Sequence, residues 1–296
     1  SSSTTNGYGS VDRFSVTYGG TDEAPTQAQV DVASGTTPYN LGLTKALKVT
    51  NGNQTSGAGA ADYIEIGHRI EAQNIRNSGW NYLSSTSFIT LSFYVKSSVA
   101  QVFYGFLTTR DGTRRSYPFS TGSLSADTWT KVTKVIPGNS GLTFNNDNGD
   151  GLDIFIDPFY GTDFTNNSVS LDQWNIHASG NAHPDNTTTW YTTNDATLEI
   201  TGLQLEVGSV ATDFEHRSFG QELALCQRYF EINSNYIPDS NYNQNYMVQK
   251  RAAPTITSPD AGGTFSLDGV TPSVTSYWAK RTAGGGNYTI HITAEL

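Results

Sequence analysis

Between residues 11 and 216 the apolar residues recur at every second position, and no stretch between them carries the helical repeat that a crossover connection would need. Residues 88–96 are the clearest case. Ile89, Leu91, Phe93 and Val95 share one parity, and Phe88, Thr90, Ser92 and Tyr94 the other. Successive side chains of a strand point to opposite faces, so the first set predicts a buried face and the second an outer one. The same alternation marks Phe14, Val16 and Tyr18; Leu47 and Val49; Ile64, Ile66, His68 and Ile70; and residues 102–109, 129–136 and 152–159, with Gly, Asn and Ser between them. Parallel neighbours need crossovers of a dozen or more residues, usually helical. Strands in this number without such crossovers predict an all-β fold, an antiparallel jelly-roll sandwich.

Residues 197–207 add a detail. Leu198 and Ile200 share one parity, while Leu203, Leu205 and Val207 share the other. One extra residue between the sets returns both to a single face, and Gly202 stands at the slip, which predicts a β-bulge. An extended tie over 209–217 follows. Ser218 and Gln221 then form a capping-box pattern, and Phe219, Leu223, Cys226 and Phe230 at helical spacing predict a short helix with one apolar face. Beyond it lie a run rich in Asn and Tyr (Tyr236, Tyr242, Tyr246), short strands over 264–267, 274–279 and 288–294, and a hairpin tip at 284–286. The expected organisation is a sandwich over 1–217, a helical connector over 218–231 and a small C-terminal β domain over 232–296. That last domain is small for burying a core of its own.

Charge narrows the partners. Only 15% of residues are charged and the net charge is −10. A nucleic-acid reader needs a basic surface, and an anionic membrane repels an acidic one. No apolar run approaches the length of a membrane span, so membrane insertion is not expected. Residues 1–7, without Met or an apolar segment, read as the cut end of a longer chain. The single cysteine, Cys226, excludes an intrachain disulfide and a Cys-based zinc site; it is expected as a small buried hydrophobe in a chain assembled in a reducing cytoplasm.

Several patterns raise catalytic or metal chemistry. Asp147, Asp150, Asp153 and Asp157 cluster, and a glycosidase needs two carboxyls at a set separation. Asp153 and Asp157, however, fall on the solvent-facing parity of a strand, and turn chemistry accounts for Asp147 and Asp150. Asn146-x-Asn148-x-Asp150-Gly151, with Asp157 twelfth, imitates a calcium loop, but Asn replaces the leading Asp and Asp the bidentate Glu. No metal or other cofactor is therefore expected, with a structural Ca²⁺ as the alternative. His177 and His183 share a long loop, 172–194, with Asp172 and Asp185 but lack metal-ligand spacing. There is no Gly-x-Ser-x-Gly and no phosphate-cradling loop, so no catalytic residue is assigned and the chain reads as a non-enzyme. The remaining signal is aromatic. Trp80 and Tyr82, and Trp174, Trp190 and Tyr191 in the long loop, are expected at loops or strand ends, where a ring can stack on the C–H face of a sugar. The competing reading is that they anchor loops to the sandwich rim or pack between subunits.

Three blocks carry a family resemblance: Gly202-Leu203-Gln204-Leu205-Glu206-Val207-Gly208-Ser209, Ala211-Thr212-Asp213-Phe214-Glu215-His216-Arg217 and Leu225-Cys226-Gln227-Arg228-Tyr229-Phe230. In order and spacing they resemble the C-terminal region of tail-fibre and related structural proteins of tailed bacteriophages. Arg251-Ala252-Ala253-Pro254-Thr255 and the final Ala294-Glu295-Leu296 are similar to the same family. Residues 129–138 and 200–207 resemble strands of jelly-roll carbohydrate-binding modules. The resemblance implies a virion protein assembled in the host cytoplasm, a homotrimer among other virion proteins, presenting a non-catalytic surface to a host-cell glycan or surface protein. Leu223, Cys226 and Phe230 would then line the three-fold axis. Two alternatives stand beside it: a capsid or tail decoration protein that binds no glycan, and a polysaccharide depolymerase with two carboxylates across a cleft.

Overall fold

The computed structural model describes residues 2–237, 242–258, 265–267, 272–281 and 286–296. They form two units, Ser1–Glu215 and His216–Leu296. The strands of the first unit are β1 (Ser2–Ser3), β2 (Gly7–Tyr8), β3 (Phe14–Gly19), β4 (Thr26–Asp31), β5 (Lys45–Thr50), β6 (Tyr63–Glu71), β7 (Phe88–Ser97), β8 (Val102–Thr109), β9 (Arg115–Ser123), β10 (Thr130–Pro137), β11 (Asp150–Tyr160), β12 (Asn175–Ile176) and β13 (Thr197–Val207). Short helices α1 (Thr37–Asn40), α2 (Ala72–Arg76) and α3 (Thr189–Thr192) sit in the connections. A six-stranded sheet runs β1-β4-β5-β13-β7-β10 and a seven-stranded sheet β12-β9-β8-β11-β6-β3-β2. Their pairings are antiparallel, giving the jelly-roll sandwich the alternation predicts.

The core follows parity. Ile89, Leu91, Phe93 and Val95 of β7 and Leu198 and Ile200 of β13 meet Val16, Ile64, Ile66, Leu107, Phe119, Ile154 and Ile156 of the other sheet, all buried. Each such side chain contributes about 1.5–3 kcal/mol on burial, so this layer dominates the unit's stability. The bulge lies where the phase slip puts it: Thr201 pairs with Tyr94 and Gln204 with Ser92, so two residues oppose Phe93. Gly202 takes φ +62°, and a Cβ there would come within 2.6 Å of Leu43. Leu203 and Leu205 consequently pack on the core, whereas Val207, at the last strand position, is 48% exposed, against the expectation.

Two connections do more than join strands. Residues 139–151 put Leu142 and Phe144 into the core. The segment after β11 turns back over the outer face of the seven-stranded sheet, where Ala182 packs on Phe106 and Phe155 and His183 stacks on Tyr104. This roof overturns one expectation. Asp153 and Asp157 do lie on the non-core parity, but both are buried. The long loop is also less irregular than expected, since it holds β12, paired with β9, and α3.

In the second unit, α4 (Phe219–Gln227) begins at Ser218 with the full capping box: the Gln221 backbone N–H donates to Ser218 Oγ and the Gln221 side chain accepts from the Ser218 N–H. None of its residues is buried; Phe219 is 82% and Leu223 42% exposed, and Cys226 is half-buried rather than buried. Strands β14 (Phe230–Ile237), β15 (Tyr242–Asn245), β16 (Thr255–Thr257), β17 (Phe265–Leu267), β18 (Ser276–Arg281) and β19 (Gly286–Thr293) make two three-stranded sheets, β14-β19-β16 and β15-β18-β17. Phe230, expected on the helix stripe, opens β14 instead. A buried ion pair, Lys250 with Glu231 at 2.7 Å, lies with the Lys250 ammonium over the Tyr246 ring and Glu231 opposite Ile292, a polar core element that periodicity does not reveal. Tyr246 is buried and stacked on Tyr277 at 5.6 Å. Residues 284 and 285 and the side chains of Tyr236 and Tyr242 lie outside the described residues. Among the described residues no helix is long and apolar enough to cross a membrane.

Candidate functional site

The five aromatics singled out from the sequence do not form a common surface. Trp190 and Tyr191 enter the sandwich from α3: the Trp190 Nε1–H donates to the Thr197 carbonyl at 3.0 Å, and Tyr191 stacks on Phe159 at 4.2 Å. Trp80 is buried, with Nε1–H on the Ser87 carbonyl and its ring edge-on to Tyr82. These three rings are consumed by packing, so their expected exposure is corrected. Tyr82 is half-buried against Phe144, and Trp174 is half-buried against Tyr117, with Nε1–H on the Pro137 carbonyl at 2.7 Å. Both read as rim anchors.

The outer face of the six-stranded sheet offers Trp129, but Lys96 lies over its ring at 5.1 Å and pairs with Glu199. The outer face of the seven-stranded sheet is richer. On the parity away from the core, β6 carries Tyr63, Glu65 and Arg69, β8 carries Tyr104, Phe106 and Thr108, and β11 carries Asp153, Phe155, Asp157 and, past its bulge, Tyr160. Register brings these into adjacent rows, with Asp157 opposite Tyr104, Asp153 opposite Arg69 and Tyr160 opposite Tyr63. Tyr63, Glu65, Arg69, Tyr104 and Tyr160 are partly buried beside the roof, and Phe164 of the roof meets Tyr63 edge-on at 5.6 Å.

His183, in the roof, is the keystone over this face. Its ring is stacked on Tyr104 at 5.0 Å and on Tyr160 at 5.5 Å. Nδ1 lies 2.7 Å from the Pro184 carbonyl, which can only accept, so Nδ1 carries a proton. Nε2 lies 3.1 Å from Asp157 Oδ2, and that contact needs a proton of its own, held by the imidazole or the carboxyl. Burial raises the Asp157 pKa and the His183 hydrogen bond opposes the rise. Asp153 is held by Arg110, whose guanidinium lies over the Phe155 ring. Glu65 accepts from Tyr160 Oη and, at 3.0 Å, from Thr17 Oγ1. Burial first, and the neighbouring Asp157 second, push Glu65 up to about 7.

The sign of that shift gives a measurable consequence. Folded Glu65 keeps its proton to about pH 7, whereas the unfolded chain loses it near 4.5, so stability falls as pH rises through that window. The full effect is about 3 kcal/mol. Glu65→Gln should match the parent near pH 4.5 and exceed it at pH 8 in denaturant-unfolding curves; equal curves at pH 8 would contradict the assignment. His68, whose Nδ1–H meets the Arg13 carbonyl, works the other way. Burial first and then Arg13 lower it to about 4, so its contribution is lost as pH falls below 6.5.

The calcium-loop reading loses its twelfth ligand, because Asp157 is committed to His183. Among the described residues no group of three or more His, Cys, Asp or Glu is placed to hold a metal ion. The sequence reading passed over Glu65, Arg69, Tyr104, Tyr160 and Arg114. The signal was present: three strands carry charges and aromatics on the parity opposite their core set.

No protein-family model matches the chain, and no curated protein matches it. Among solved structures it is similar to a putative sugar binding protein from Bacteroides thetaiotaomicron, at 12% identity and TM-score 0.37, over 69% of this chain and 95% of that one. It is similar to the enzymatically active domain of tailspike protein 4 of bacteriophage CBA120, at 9% identity and TM-score 0.36, over 66% of this chain and 19% of that one. It is similar also to the N-terminal cellulose-binding domain of Cellulomonas fimi β-1,4-glucanase C, at 12% identity and TM-score 0.33, over 66% and 90%.

Proposed function

We propose that the outer face of the seven-stranded sheet is a non-catalytic glycan-binding surface. The observation that carries this is the partly exposed row of Tyr63, Tyr104 and Tyr160 beside Glu65 and Arg69, on the parity facing away from the sandwich core. Aromatic faces take the C–H face of a pyranose, and the Glu65 carboxyl and Arg69 guanidinium can meet its hydroxyls. A depolymerase needs two free carboxyls across a cleft; here Asp153 and Asp157 are buried on Arg110 and His183, which favours binding over hydrolysis. The reading needs no cofactor.

The resemblance of the blocks at 202–209, 211–217, 225–230 and 251–255 supports a virion setting: a tail-fibre-type protein, assembled in the host cytoplasm as a homotrimer with other virion proteins. The open apolar side chains Phe219 and Leu223 of α4 are what such a trimer would cover. A capsid or tail decoration role is the second reading, in which another virion protein covers the tyrosine row.

A glycan array probed with the parent protein and with Tyr104→Ala tests the binding reading. The expected result is a defined set of retained glycans whose affinity falls roughly 2- to 10-fold in the variant. Absence of any retained glycan, or affinity unaffected by the substitution, would overturn it.

A further inference from the structure

The chain has 17 Lys and Arg against 27 Asp and Glu, yet cations crowd one end of this face. Arg110 and Arg114 flank the β8–β9 turn. Arg110 has a counter-ion, Asp153. Arg114 has none among the described residues: its Nε–H donates to Thr108 Oγ1 at 2.9 Å, and no carboxylate lies within ion-pairing distance. His177 closes the cluster. Its backbone N–H donates to the Arg114 carbonyl at 3.0 Å, and its Nδ1 lies 2.7 Å from Ser116 Oγ, so the ring is tied beside the guanidinium groups.

The electrostatics of the cluster are unbalanced. Burial and then the charge of Arg110 lower the Arg114 pKa from its usual value. His177 is pushed down to about 4, by burial first and then by Arg114 and Arg110, so its imidazole is neutral at pH 7. Asp153 is ion-paired to Arg110; with Glu65 it offsets part of the effect on Arg114 from a distance, without pairing with it.

We propose that Arg114, with Arg110 and His177 beside it, is a carboxylate subsite, so that the glycan taken by this face carries an acidic sugar such as a uronate. This deepens the glycan reading and rests on it. A guanidinium presents a planar fork that matches both oxygens of a carboxylate, and Arg114 uses only its Nε on the protein. A neutral sugar would leave Arg114 without a paired carboxylate. A carboxylate supplies the missing counter-ion, in a half-buried setting where the pair is screened less than at an open surface.

The test titrates glucuronate and glucose separately into protein labelled at histidine, following the His177 ring signals by NMR, with Arg114→Gln and Arg114→Lys in parallel. Glucuronate should shift the His177 signals and bind at least ~10-fold more tightly than glucose. Arg114→Gln should weaken glucuronate roughly 10- to 100-fold, and Arg114→Lys, which keeps the charge but loses the fork, by less. Equal response to the two sugars, or a response to glucuronate unchanged in Arg114→Gln, overturns the acidic-sugar subsite. If neutral glycans still bind in a Tyr104-dependent way, the broader reading survives that failure. Should Arg114→Gln not fold, the parent protein alone decides by its preference between the two sugars.

Discussion

Trp190→Ala should lower the melting temperature of the sandwich by about 6–20 °C. Removing a buried Trp typically costs about 3–5 kcal/mol, and a unit of this size shifts by roughly 2–4 °C per kcal/mol. Trp190 is fully buried, edge-on to Phe103 at 6.4 Å, and its Nε1–H satisfies the Thr197 carbonyl where β13 begins. Its backbone N–H also donates to Gln101 Oε1 at 3.0 Å, tying α3 to the start of β8. The substitution leaves a cavity at one end of the sandwich and removes one of the two hydrogen bonds to the Thr197 carbonyl, which keeps the one from the Ser98 N–H. Thermal unfolding checks this, and a variant of unchanged stability that has lost only glycan affinity would return Trp190 to the list of binding residues.

His183→Ala should cost a similar amount, about 3–5 kcal/mol, because it strands a carboxyl. Asp157 is fully buried, its Oδ1 has no hydrogen-bond partner, and Oδ2 depends on His183. The ring also fills the space between Tyr104 and Tyr160. The two losses separate in the double variant: His183→Ala with Asp157→Asn replaces the stranded carboxyl by an amide and should recover part of the stability in denaturant unfolding, leaving the packing loss. A double variant no more stable than the single one would show that the His183–Asp157 contact contributes little.

The fold was legible because it rests on parity. A period of two, uninterrupted by helical spacing, dictates paired sheets, and even the Gly202 bulge follows from the change of phase between Ile200 and Leu203. The capping box at Ser218 was legible for the same local reason. Depth was not. Parity says which way Asp153 and Asp157 point but not what lies above them, and the roof that buries them comes from residues far along the chain. The loop tryptophans failed likewise: a Trp flanked by Ser, Thr and Asn looks exposed, yet Trp190 reaches back into the core through a single helical turn. On α4 the error ran the other way, since an apolar stripe does not bring its own cover within one chain.

The central claim is that the tyrosine row of the seven-stranded sheet holds a sugar. The most direct measurement is the structure of the protein with an oligosaccharide retained on the array. The account expects a pyranose ring stacked on Tyr104 or Tyr160, about 4–5 Å from the aromatic ring. A sugar seated instead on the Lys96–Trp129 side of the sandwich, or against Trp174 at the rim, would contradict it.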